Sequence, residues 1–182
     1  MRQNRTMKFF ISSLLLLLTL NTTTAFASDE EIISALMEES NFQQLAKTMK
    51  EKSLGLVLML HAEHCPYCKL MEDEILSPMV KSGEYDKKIL IRKLQIDEAR
   101  DVINFAGKTV EPSDISDKYN AHITPTLVFL DYLGNERVTQ MVGINTVEMF
   151  GGYLDIEIDK LTKELLAEKQ NSKKTAQLDK VK

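Results

Sequence analysis

Three features of the chain predict an α/β domain, a three-layer sandwich around a mixed central sheet. Leu56-Val57-Leu58-Met59-Leu60 is an unbroken apolar run of strand length, the pattern of a strand covered on both faces. Segments of strand and helix character alternate after it, as layered α/β folds require. A hairpin signal at Gly134-Asn135 and a long amphipathic stretch then close the pattern. With 182 residues the chain is long enough for one domain with a real core. Its 43% hydrophobic and 27% charged content excludes a wholly disordered, collagenous or coiled-coil chain. A pI near 5.5 argues against nucleic acid as a partner. Two cysteines are too few for a disulfide-dense scaffold.

The first 27 residues read as an address. Arg2, Arg5 and Lys8 precede an apolar stretch from Phe9 to Leu20, and Ala25-Phe26-Ala27 supplies the small-x-small pattern of a signal-peptidase site. The stretch is about 12 residues, short of the ~20 a membrane-spanning helix needs, so a cleavable export signal is expected over 1–27 and an uncleaved anchor is the alternative. Its removal leaves 155 residues with net charge −7. The last fourteen, Lys169 to Lys182, carry five Lys and one Asp. They read as a flexible basic tail behind a domain spanning 28–168.

In the exported part, Ser28-Asp29-Glu30-Glu31 has the form of a capping box, and Ile32, Ile33, Leu36, Met37, Leu45, Ala46 and Met49 predict helix to about Ser53. Gly55 ends that pattern and the apolar run follows as a strand. Leu70, Met71, Ile75 and Leu76 predict a helix that Pro78 should break or kink. Ile89 to Ile96 reads as a second strand. Asp97 to Glu111 is polar, with a turn at Gly107, and Ser113 can cap a short helix through Tyr119. Thr126 to Leu130 and Arg137 to Val142 read as strands joined at Gly134-Asn135. After Gly143 a long helix is expected from about Thr146 to Glu168.

The chemistry concentrates at Cys65-Pro66-Tyr67-Cys68, where the buried strand turns into a helix. Unsatisfied N–H groups and the macrodipole at a helix start stabilise an anion, so Cys65 as N-cap should be a better thiolate than a free cysteine. Cys68 follows one turn on, on the same face, where it can resolve a mixed disulfide. Pro66 at the first helical position loses no needed hydrogen bond. The competing reading is a structural staple, but a ring over two intervening residues removes little chain entropy. The pair reads as redox-active.

At these residues the chain resembles the thioredoxin superfamily, in its exported branch. The resemblance spans roughly Leu54 to Leu161. It rests on Ala62-Glu63-His64-Cys65-x-x-Cys68 after a strand, on Lys93-Leu94-Gln95-Ile96-Asp97, on Thr124-Pro125-Thr126 before a strand, and on Gly143 before the last helix. It implies a thioredoxin-like α/β/α sandwich with a cis-proline facing the cysteine pair. Pro125 is then the expected cis-proline, with Thr124 before it, and Pro66, Tyr67, Thr124 and Pro125 would contact substrate. Thioredoxins carry Cys-Gly-Pro-Cys after Trp, whereas Cys65-Pro66-Tyr67-Cys68 follows His64 here. Thioredoxins also place a buried Asp behind the cysteines, where this chain has Met59. Glu63 and Lys93 match family positions and are candidates for proton handling. The 98–111 insertion and the stretch from Thr124 to Asp131 resemble thioredoxin-related proteins of the bacterial periplasm, among them those accompanying sulfur oxidation.

His61-x-x-His64-Cys65-x-x-Cys68 also offers imidazole and thiol ligands suited to zinc or copper. A strand end and a helix start cannot readily present all four together, so packing is expected of His61 and tuning of the Cys65 thiolate of His64. Lys69, not His, follows Cys68, which excludes the c-type haem motif. His122 belongs at the rim. No cofactor or metal is expected.

The reading is a periplasmic thiol–disulfide oxidoreductase, monomeric, exchanging protein or small-molecule disulfides and served by a membrane or periplasmic electron-transfer partner. Its alternatives are a disulfide-donating oxidase with the same site, which the missing Asp and the Pro after Cys65 permit, and an envelope copper- or metal-handling protein on the same fold.

Overall fold

The computed structural model describes residues 36–178. The export signal expected at 1–27 and the capping box at 28–31 lie outside them. In order, the elements are strand β1 (Met37–Glu38), helix α1 (Phe42–Lys52), strand β2 (Gly55–His61), helices α2 (Pro66–Met71) and α3 (Ser77–Ser82) joined by a π-helical turn (Glu72–Leu76), strand β3 (Ile89–Gln95), the pair β4 (Val102–Ile103) and β5 (Thr109–Val110), helix α4 (Pro112–Lys118), strands β6 (Thr126–Leu130) and β7 (Glu136–Val142), and helix α5 (Val147–Leu178).

The apolar run becomes β2, central in a five-stranded sheet of order β1-β3-β2-β6-β7. β1 and β2 both run parallel to β3, while β6 and β7 are antiparallel to their neighbours, so the sheet is mixed as expected. Successive side chains of a strand point to opposite faces, and β2 divides accordingly. Leu56, Leu58 and Leu60 join a core with Phe42, Leu45 and Met49 of α1 and Ile115 of α4. Val57 and Met59 join the opposite core with Met71, Ile75 and Leu76 and with Phe150, Leu154, Ile158 and Leu161 of α5. Both faces are covered, hence three layers and no polar residue within the run. No helix among the described residues is long and apolar enough to cross a membrane.

Three local expectations are corrected, and the break or kink expected at Pro78 is resolved as a local distortion without a break. Met37 is not helical. Residues 37 and 38 pair with Arg92 and Lys93 at the sheet edge, and α1 begins only at Phe42, capped by the Asn41 side chain, which accepts from the Gln44 N–H. Pro78 does not break the helix. It lacks an N–H and its ring crowds the carbonyl four residues back, and the helix accommodates it through the preceding π turn, where the Ser77 N–H bonds to the Glu72 carbonyl. Ser113 does not cap α4; Glu111 takes the cap position, its N–H donating to Asp114 Oδ2 at 3.1 Å, with Pro112 at the first helical position. Helix α5 does not end near Glu168 but continues to Leu178, so part of the basic 169–182 segment is helical.

The β6–β7 connection requires its glycine twice over. Gly134 holds φ +74°, a region L side chains rarely adopt. A Cβ there would also lie 2.5 Å from the Phe105 ring.

Candidate active site

The cysteine pair sits at the start of α2, a short loop beyond the end of β2. Cys65 has extended backbone and caps α2, its Sγ accepting the Cys68 N–H at 3.1 Å, and Pro66 occupies the first turn. Cys65 and Cys68 are joined by a disulfide, with Cα atoms 5.2 Å apart. The two differ in access: Cys68 is buried and Cys65 half-buried. Facing them is the Thr124-Pro125 bond, which is cis as the resemblance implied. Thr124 places its hydroxyl 3.6 Å from Cys65 Sγ, donating to it. Pro125 is buried, and its carbonyl accepts the Gly143 N–H at 2.8 Å, which ties the loop to the end of β7. Tyr67 stands beside the pair, 62% exposed.

The remaining expected site residues separate into an outer and an inner set. His64 is 90% exposed and lies 3.8 Å from the Glu63 carboxylate. Glu63 is itself exposed; its N–H donates to both carboxylate oxygens of Asp97 at 3.2 Å, which straps the loop before Cys65 to the end of β3. His61 turns away from His64, its Nε2 lying 3.0 Å from Glu38 Oε2. Lys93 lies behind the helix, bonded through Nζ to both oxygens of Glu72 at 2.7 and 2.8 Å. His122 is at the rim, 3.5 Å from Asp117. The structure therefore brings Cys65, Cys68, Thr124 and Pro125 together, and keeps Glu63, His64 and Lys93 one step away.

Two carboxylates that bind expected site residues, Glu72 on Lys93 and Glu38 on His61, were not foreseen. Glu72 lies four residues beyond Cys68, and residues at that spacing share a helix face. Simple counting along the helix would have found it. Met59 fills the buried β2 position opposite Lys93, so the carboxylate that Lys93 meets comes from the helix rather than from the strand. Glu38 has no such local signal. From the edge strand it contacts His61 and accepts the Gln95 N–H, joining β1 to the ends of β2 and β3. Burial pushes the Glu38 carboxyl up. The bond and charge of His61, the Gln95 N–H and the nearby Lys93 outweigh that and hold it below its ordinary value of 4.5.

A lowered folded-state value means that the ionised carboxylate stabilises the fold fully above that ordinary value, and that this contribution is lost as pH falls through the lower one. Glu38→Gln should therefore reduce stability at pH 7 by about 1–2 kcal/mol, with the gap to wild type closing in acid. Urea unfolding at pH 7 and pH 3 checks this, and a gap equally large at both would rule out the ionic account.

Solved structures similar to the chain include an N21Q thioredoxin from Halobacterium salinarum (14% identity, TM-score 0.48, covering 69% of this chain and 93% of that one). Mitochondrial thioredoxin 3 from Saccharomyces cerevisiae (19%, TM-score 0.45, 66% and 94%) is another. A thioredoxin-like protein from Clostridium perfringens (22%, TM-score 0.45, 74% and 90%) is a third. No curated protein matches the chain. The assignment comes instead from the model of the thioredoxin-like domain, which matches residues 42–156. That span exceeds half the chain and takes in both cysteines, Pro125 and the sheet from β2 to β7, so the chain belongs to the thioredoxin-like family.

Proposed function

We propose that this chain, a thiol–disulfide oxidoreductase, works in the periplasm as a reductant of protein or small-molecule disulfides. The observation that carries the mechanism is the unequal access of the two cysteines. The half-buried Cys65, at the helix start and beside the Thr124 hydroxyl, is the sulfur a substrate can reach; the buried Cys68 is reached from within.

In the reduced protein, the Cys65 thiolate attacks one sulfur of the substrate disulfide. A Cys65–substrate bond forms, and the other substrate sulfur leaves as a thiolate that takes a proton from solvent. Cys68, having lost its proton, then attacks Cys65 Sγ and expels the second substrate thiolate, which is protonated in turn. Two electrons pass from the dithiol to the substrate, and the Cys65–Cys68 disulfide remains. Pro66, Tyr67, Thr124 and Pro125 line the approach. His64 tunes the thiolate from outside, while Glu63 and Lys93, the latter paired with Glu72, are the proton-handling candidates, one step from the cysteines. A membrane or periplasmic donor must return the electrons. The export pattern of residues 1–27 supports the location, and the resemblance of segments 98–111 and 124–131 to thioredoxin-related proteins of the periplasm supports the direction.

The deciding experiment is the midpoint potential of the Cys65–Cys68 couple, equilibrated against glutathione or dithiothreitol. A value near about −270 mV or lower is expected of a reductant, and one near about −120 mV would overturn the direction in favour of a disulfide donor.

A further inference from the structure

Helix α5 crosses the first residue of β2 at Leu161 and runs on to Leu178. The crossing is close: a Cβ on Gly55 would lie 2.6 Å from Leu161 Cδ2 and 3.2 Å from Leu165 Cδ1. Past it, α5, the end of α1 and the β6–β7 connection leave a cavity of about 240 Å³ between them. Met49 and Leu54, both buried, give it apolar walls together with Tyr132, Leu165 and the half-exposed Leu166.

The charged groups around this cavity do not balance. Glu168 lines it, but its carboxylate is held by Arg137 Nη2 at 3.1 Å. Lys50 and Lys169 line it as well. Lys50 Nζ lies 5.5 Å from the centroid of the Tyr132 ring, and Lys169 Nζ donates to Ser53 Oγ at 2.7 Å, which ties α5 to the end of α1. Among the described residues neither ammonium has a carboxylate partner, although the chain as a whole carries a net charge of −4. An apolar cavity with two unpaired cations suits a molecule with an apolar body and an anionic head. A cationic head there would be repelled, and a neutral one would gain no ion pair. An apolar cavity of ~150 Å³ takes up a benzene-sized molecule, so by volume this one holds roughly ten non-hydrogen atoms. That is the size of octanoate.

We propose that the cavity is a binding site for a medium-chain carboxylate. The alkyl chain lies against Met49, Leu54, Leu165 and Leu166, and the headgroup meets Lys50 and Lys169. The site is remote from the cysteine pair. Leu54 precedes the start of β2, the cysteines follow its end at His61, and the seven-residue strand spans ~20 Å at ~3.3 Å per residue. The inference therefore does not rest on the redox reading, and the failure of either leaves the other standing.

The test titrates the full chain with octanoate, hexanoate and octylammonium, followed by calorimetry and by the shift in melting temperature that a ligand of the folded state produces. Octanoate should bind one to one and about tenfold more tightly than hexanoate, which buries two fewer methylene groups. Octylammonium, with the same chain and the opposite charge, should bind about tenfold more weakly than octanoate. Leu166→Asp places a carboxylate on a wall that is already half-exposed and should abolish octanoate binding. The double variant Lys50→Glu, Lys169→Glu should reverse the order, so that octylammonium binds more tightly than octanoate, a reversal that a merely structural role for these lysines would not produce. Neither heat nor a melting shift at millimolar octanoate would overturn the site. So would equal affinity for octanoate and octylammonium, or octanoate binding unchanged by Leu166→Asp, which would place the ligand elsewhere on the chain.

Discussion

Cys65→Ser is expected to abolish disulfide exchange, lowering its rate by at least about a thousandfold, because a serine hydroxyl in place of the thiolate removes the nucleophile that forms the mixed disulfide. The buried Cys68 is not placed to substitute for it. Cys68→Ser should behave differently. It retains the first attack but lacks the sulfur that expels the substrate, so a covalent Cys65–substrate adduct accumulates and is visible as a mass increase that dithiothreitol reverses. Both variants should fold, since closing a ring over two intervening residues stabilises only weakly. Exchange at the wild-type rate by Cys65→Ser would remove the chemistry assigned to the pair.

Phe129→Ala is expected to produce the largest loss of stability. Phe129 is fully buried on β6, four residues after the cis-proline, between Val57 of β2 and Val138 of β7 in register. Its ring belongs to the core shared by the active-site helix and α5. Truncation removes the transfer free energy of the ring and leaves a cavity, together about 3–5 kcal/mol, a large part of the ~5–15 kcal/mol that holds a domain folded. The melting temperature should fall by about 10 °C. Chemical and thermal unfolding measure this directly, and a loss below about 1 kcal/mol would mean that the neighbouring side chains close the gap.

The features legible in the sequence share a physical character: each is written in residues adjacent along the chain. Leu56 to Leu60 declare a two-sided strand because burial on both faces forbids a polar residue anywhere in it. Cys65-Pro66-Tyr67-Cys68 declares a helix start because proline fits the first turn and the spacing places both sulfurs on one face. Thr124-Pro125 declared itself through family likeness, and the cis bond and the 3.6 Å approach to Cys65 agree with that. Where local signals misled, a competing local or distant partner was stronger. Ser113 is a good cap by type, but Pro112 marked the earlier start that Glu111 and Asp114 complete. Met37 continued a helical spacing, yet the open edge of β3 captured it as a strand.

What tertiary structure alone decided are the contacts between residues far apart in sequence. Glu38 meets His61 across 23 positions and the Gln95 N–H across 57. Lys93 finds its carboxylate on the helix, 21 positions away, rather than on the neighbouring strand. Val142 comes to lie beside Ile123 only because β7 folds back on β6. Hydrophobic periodicity reports which face of an element is buried, but it carries no record of which distant face will cover it. The reacting couple could therefore be read from eight consecutive residues, whereas the partners of Glu38 and Glu72 are set only once the sheet has closed.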